Sequence, residues 1–181
     1  MLKIKLGYRV GEHRRYTTFE VSNDIDLLSF GLSIKGSGTV ESPYILTLSY
    51  DVKGSYPKIS IYDSDSYVQV KDSNYYGIVV NKSKNVSLFD SKSRNLWIQN
   101  AFNVRIKDMI VKGKAVLWKC ENVNLDNSQI KLLYASRNDN ISISNCQIKT
   151  LKTKEDDLEN PQITNTQVGK VKSTKSIPIA S

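Results

Sequence analysis

Few residues of this chain have side chains suited to making or breaking bonds, and their spacing limits what they could do. Asp63 and Asp65 flank Ser64. Carboxylates at i and i+2 of a strand share one face, so this pair could supply a general acid and a general base. The run from Tyr62 to Ser66 is also rich in turn formers, which makes an ordinary loop the competing reading. A second acidic set, Asp72, Asp90 and Asp108, recurs at 18-residue intervals. If successive segments stack, these carboxylates stand about 4.8 Å apart at one turn. Their repulsion would be relieved by Lys71, Lys92 and Lys107, or by a weakly held Ca²⁺. One histidine, His13, and two cysteines, Cys120 and Cys146, cannot furnish a four-ligand zinc site or His-centred nucleophilic machinery. His13 itself lies in Gly11-Glu-His-Arg-Arg15, which reads as a loop. No cofactor is expected beyond the calcium alternative.

The charge balance invites a different chemistry. Lys and Arg total 26 against 18 Asp and Glu, a formal charge of +8. Lys3, Lys5, Arg9, Arg14 and Arg15 form a basic patch near the start, while the other lysines read as scattered among acids. No nucleic-acid motif accompanies them, so solvated surface charge is the simpler reading and a nucleic-acid contact through the N-terminal strand the weaker one.

What would position these residues is a repeat. Aligned at Tyr67, Asn85, Asn103, Asn122, Asn140 and Asn160, six segments share an apolar pair separated by one residue, then Asp or Asn, at intervals of 18 to 20 residues. The pairs are Val68/Val70, Val86/Leu88, Val104/Ile106, Val123/Leu125, Ile141/Ile143 and, with proline tolerated near an edge, Pro161/Ile163. Within the second segment, Ser91/Ser93 and Leu96/Ile98 repeat the alternation, giving three short strands per coil and a triangular prism. This predicts an all-β chain: a right-handed parallel β-helix of about seven coils, a rod roughly 29 Å tall. Corners every six residues would suit a left-handed form; the 5, 5, 8 division does not. A β-sandwich needs no fixed period.

Two outward columns follow from the alternation. On the first side it holds Gln69, Ser87, Arg105, Asn124, Ser142 and Gln162, poor material for a cleaving groove. On the third side it holds Val79, Trp97, Val116 and Tyr134, with Trp118 in the next outward place. Such an apolar column is expected to be a subunit interface, a sugar-stacking platform, or the seat of a terminal segment.

The Gly36-Ser-Gly-Thr-Val-Glu-Ser-Pro-Tyr-Ile-Leu46 run and the Asn-Ile-Ser-Ile-Ser-Asn-Cys-Gln-Ile run at 140–148 resemble the opening and the coils of pectate-lyase-like right-handed β-helix proteins of the carbohydrate-binding and sugar-hydrolase type. The resemblance spans about Ser33 to Val171. It implies a β-helix and, for activity, clustered carboxylates on an outer face, for which Asp63, Asp65 and the column of Asp72, Asp90 and Asp108 are the plausible acids.

The 181 residues suffice for one domain. Residues 1–32 are expected to form an N-terminal hairpin cap, 33–172 the β-helix and 173–181 a loose tail, with a short helix at Asp24 to Phe30. No run approaches the roughly 18 apolar residues of a membrane span. The alternating N-terminus lacks a secretory apolar core, so a cytoplasmic or virion location is expected. The reading that results is a non-catalytic rod that binds or assembles, with itself or a protein partner, through its third side. A carbohydrate-active or carbohydrate-binding protein is the alternative.

Overall fold

The computed structural model describes residues 2–10, 13–21, 25–27, 32–48, 58–153, 158–159 and 161–173, and among these there is no helix. Short runs of alternating apolar and polar residues cannot present a helical face, but as strands they turn every second side chain inward. The long-strand sheet contains β1 (Leu2–Val10), β2 (His13–Val21), β6 (Lys58–Tyr62), β8 (Asn74–Asn81), β10 (Lys92–Gln99), β12 (Ile110–Trp118), β14 (Gln129–Ser136), β16 (Gln147–Lys152) and β19 (Gln167–Lys172). The short-strand sheet contains β3 (Ile25–Leu27), β4 (Leu32–Lys35), β5 (Tyr44–Leu48), β7 (Val68–Lys71), β9 (Lys84–Phe89), β11 (Phe102–Lys107), β13 (Glu121–Asp126), β15 (Asn138–Ser144), β17 (Leu158–Glu159) and β18 (Gln162–Thr164). From β5 to β16 the chain alternates between the sheets, and from β5 onward these strands pair with one another in parallel.

The result is a parallel β-solenoid of about six turns. That is fewer than the seven expected, because the first expected coil is not a coil. Ser33–Lys35 lie in β4, which runs antiparallel to β3 and β5, so parallel stacking starts at Tyr44. At the same end β1 and β2 form an antiparallel hairpin that pairs with β6 and closes the long-strand sheet. His13, expected in a loop, opens β2 opposite Val10. Ile25–Leu27, expected to be helical, is a strand: three residues paired edge-on to β4 gain hydrogen bonds that one isolated helical turn would not. Residues 174–181, the expected tail, lie outside the described residues, whereas Ser173 is held by a hydrogen bond between its hydroxyl and that of Thr153, 2.8 Å.

The coil is also not the three-strand prism. The expected second and third sides are one bent strand, as in β10, where Ser93, Leu96 and Ile98 point inward and Arg94 and Asn95 both face out at the corner. Where the sequence repeat lengthens from 18 to 19 residues, β12 carries the extra residue as a bulge at the same corner. Gly113 sits in it, and the Lys114 N–H donates to the Asn95 side-chain carbonyl at 3.3 Å.

Equivalent residues stack as the repeat requires: Val68, Val86, Val104, Val123 and Ile141 form one inward column, and Ile78, Leu96, Ala115 and Leu133 another. Each such Val, Leu or Ile contributes about 1.5 to 3 kcal/mol by leaving water.

The other corners need left-handed backbone. Asp72, Asp90, Asp108, Asn127, Asn145 and Asn165 have φ between 43° and 55°, and Asn85, Asn103, Asn122 and Asn140 lie between 52° and 56°. Asn and Asp enter this region more readily than other L residues. A third corner is mixed, with Lys82, Lys119 and Arg137 in this region beside Asp63 and Asn100. Arg137→Asn is therefore expected to stabilise the protein by about 0.5 to 1 kcal/mol, read as a higher urea midpoint with unchanged slope. A lower midpoint would contradict this account of the corner.

Beside these corners runs a buried column of small polar residues that satisfies the backbone. The Ser73 N–H donates to the Ser91 hydroxyl (3.2 Å), which donates to the Phe89 carbonyl (2.7 Å). The Met109 N–H and the Ser128 hydroxyl repeat the arrangement one place along. Tyr75 is the exception: its hydroxyl is buried and makes no hydrogen bond of normal geometry. Burial pushes its pKa up to about 12, against a smaller opposing effect of the Ser73 side chain. Tyr75→Phe is expected to leave stability unchanged or raise it by about 1 kcal/mol, whereas a loss above that in thermal melting would mean that the hydroxyl is bonded.

Candidate functional site

Each candidate is judged by whether the coils bring its residues together. Asp63 and Asp65 are exposed on either side of buried Ser64, at a left-handed corner and not along a strand face. Asp65 pairs with Lys84 at 3.0 Å.

Asp72, Asp90 and Asp108 occupy equivalent corner positions, as the repeat implies. Among the described residues, no group of three or more His, Cys, Asp and Glu is placed to hold a metal ion. Where asparagine enters the column, amides tie neighbouring coils: Asn127 donates to the Asp108 carboxylate, and Asn165 donates to Asn145 at 2.6 Å. Asp126, not singled out from the sequence, accepts from Asn145 (2.9 Å) and from the Ser144 hydroxyl (2.8 Å). These two bonds, with Lys107 nearby, hold its carboxyl below the usual range. A second ladder joins Asn103 to Asn85 at 2.7 Å and Asn140 to Asn122. Cys120 and Cys146 are free and buried, and burial pushes both thiols up, Cys146 to about 11, so neither is a poised nucleophile.

The third-side column is assembled in register: Val79 beside Trp97, Trp97 beside Val116, Val116 beside Tyr134. It is not evenly exposed. Trp97 is 42% exposed, Val79, Trp118 and Tyr134 are half-buried, and Val116 is only 4% exposed. A valine between two rings 4.8 Å away on either side is shielded by them, which a sequence pattern does not convey. The Lys114 ammonium lies 5.2 Å from the Trp97 ring centre and 5.4 Å from that of Tyr134, and Lys119 lies 4.9 Å from Trp118. The face is thus aromatic and cationic, not simply apolar.

In the N-terminal patch, exposed Lys5 lies 5.0 Å over the Tyr16 ring, and Lys3 stands opposite Glu20. Arg9 and Arg14 face each other across the hairpin backbone, with Arg15 opposite Tyr8. The side chains of these three arginines lie outside the described residues.

A further feature was not anticipated. Along the outer surface of the long-strand sheet runs a groove of about 430 Å³, lined by Lys112, Lys131, Lys149, Gln129, Gln147 and Gln167 among others. The glutamines stack in register from strand to strand. None of β6, β8, β10, β12, β14, β16 or β19 carries an Asp or Glu. Lys112, Lys131 and Lys149 are therefore set apart from the acids in space: Glu121, Asp126 and Asp139 lie on the other sheet, with lysines such as Lys84 and Lys107.

A family model described as Protein of unknown function (DUF3737) matches residues 61–174, the stretch that builds both the groove and the aromatic column. The chain belongs to the DUF3737 family. No curated protein and no solved structure matches it. The DUF3737 match begins at the end of β6, so the antiparallel strands β1 to β4 and the first parallel strand β5 fall before it, and all strands of the groove fall within it.

Proposed function

We propose that this DUF3737 protein is a non-catalytic binding rod whose working surface is the outer face of the long-strand sheet, where it assembles with itself or with a protein partner. The observation that carries this reading is the Trp97 indole, 42% exposed in a column with Val79, Val116 and Tyr134 on a rigid stack of coils. Large exposed rings in a row of packed side chains are the material of interface anchors. Trp97→Ala is expected to shift a concentration-dependent oligomer to a smaller species in light scattering while the melting temperature of the subunit stays nearly constant. If neither the association state nor melting responds, the interface reading falls.

A second reading is a carbohydrate-active or carbohydrate-binding protein of the pectate-lyase-like kind, a right-handed β-helix. The parallel solenoid and the sequence resemblance support it, as do indoles beside Gln99 and Asn81. Against it, the outward column of the short-strand sheet, from Gln69 through Arg105 to Gln162, has no carboxylate. Depolymerisation of a polysaccharide, abolished by substitution of Asp63 or Asp65, would establish the enzyme; glycan binding without turnover would leave a binding module. Calcium at Asp72, Asp90 and Asp108 remains testable by the same preparation, since a bound ion would raise the melting point and a chelator would lower it.

A further inference from the structure

Lys112, Lys131 and Lys149 sit on successive strands, so their Cα atoms are about 4.8 Å apart. Like charges on neighbouring strands destabilise a sheet. On the short-strand side Lys84 has an acid partner, Asp65, at 3.0 Å. On the strands β6 to β19 of the long-strand sheet there is no carboxylate to do so. At one end Arg94 continues the line of lysines and Lys92 the line of glutamines beside it, whereas at the other end the lysine line meets Gly169. The arrangement costs stability unless an anion neutralises it.

We infer that this face binds single-stranded nucleic acid, with phosphates along the lysine groove and bases on the rings around the corner of the coil. This rests on the reading that the outer face of the long-strand sheet is the working surface, and goes beyond it by giving that face a nucleic-acid ligand in place of a protein one. The charged groups of the groove are donors only, which suits the acceptor-only phosphodiester better than sugar hydroxyls, which need both donors and acceptors. The glutamine amides add neutral donors between the charges. Exposed Trp97, half-buried Tyr134 and the Lys114 ammonium between them supply ring surface and positive charge side by side. A cationic track with rings alongside is how proteins hold a single strand without reading its sequence.

The test is fluorescence anisotropy of the full chain with labelled dT and U oligonucleotides over a salt series. Binding is expected to weaken steeply with salt, in proportion to the phosphates neutralised. The triple variant Lys112→Glu, Lys131→Glu, Lys149→Glu should weaken it at least about thirtyfold and flatten the salt dependence. The triple Lys→Gln variant, which removes charge without adding any, guards against misfolding and should show an intermediate loss. Trp97→Ala should weaken binding about tenfold with the salt dependence unchanged. Absence of binding at low salt overturns the inference. So does tighter binding of dextran sulfate or polygalacturonate that ignores Trp97→Ala, which assigns the groove to an anionic polysaccharide. If oligonucleotides fail while Trp97→Ala still disrupts self-association, the nucleic-acid inference falls and the proposed working face stands; if both fail, both fall.

Discussion

Asn138→Leu is expected to destabilise the protein by about 2 to 4 kcal/mol, the largest effect of any single polar substitution on the solenoid. Asn138 is 2% exposed and stands where the buried column elsewhere holds serine, alanine or cysteine. Its side-chain oxygen accepts from the Cys120 N–H and its amide donates to the Leu117 carbonyl, each at 2.8 Å. Leucine is close in volume but leaves both backbone groups buried and unpaired, and each orphan costs about 1 to 3 kcal/mol. The contrast is with Asn140→Ala, which removes one bond from an exposed ladder and should cost under about 1 kcal/mol. Urea unfolding of the two variants side by side decides the matter, since equal losses would deny any special role to the buried amide.

The second large effect is expected at Gly113. A Cβ there would meet the Arg94 carbonyl oxygen at 2.4 Å and the Asn95 side-chain oxygen at 2.9 Å. The first is backbone and cannot swing aside, so Gly113→Ala should cost about 1 to 3 kcal/mol through displaced strands. Deleting Gly113 altogether is expected to do less harm. The inward residues of β10 and β14 follow the spacing Ser93, Leu96, Ile98 and Ile130, Leu133, Ala135, whereas β12 has Val111, Ala115, Leu117. Removing one residue gives β12 the spacing of its neighbours. A deletion that melts lower than Gly113→Ala would mean that the bulge is needed for more than accommodating a surplus residue.

These two sites show what was legible in the sequence. Columns could be read because a strand has a strict period of two and the coils a near-constant length, so Val86 had to fall beside Val104 and Trp97 beside Val116. The corner within β10 was not legible as a bend: two successive outward residues, Arg94 and Asn95, look in a linear pattern like the end of one strand and the start of another. Nor was the shielding of Val116, which depends on the bulk of residues 18 or more positions away. The cationic face left a signal that went unread. Aligning the outward residues of the second side sets Arg94, Lys112, Lys131 and Lys149 in one line, but between them the chain passes Asp108 at a corner and then the acid-bearing strands β13 and β15, so the charges look mixed when taken in order. Asn138 differs again, because an Asn at a corner looks like every other Asn at a corner until its burial is known.

The two ends of the stack are built differently, and this gives the rod a direction. One end is sealed by the antiparallel strands β1 to β4, whereas at the other, among the described residues, β19 pairs only with β16 and shows mostly exposed side chains. Since each coil is supported mainly by its neighbours, opening should begin at β19 and travel inward one coil at a time. Amide protons should then exchange with deuterium in a graded series, fastest in β19, slower in β16 and slowest in β10 and β12.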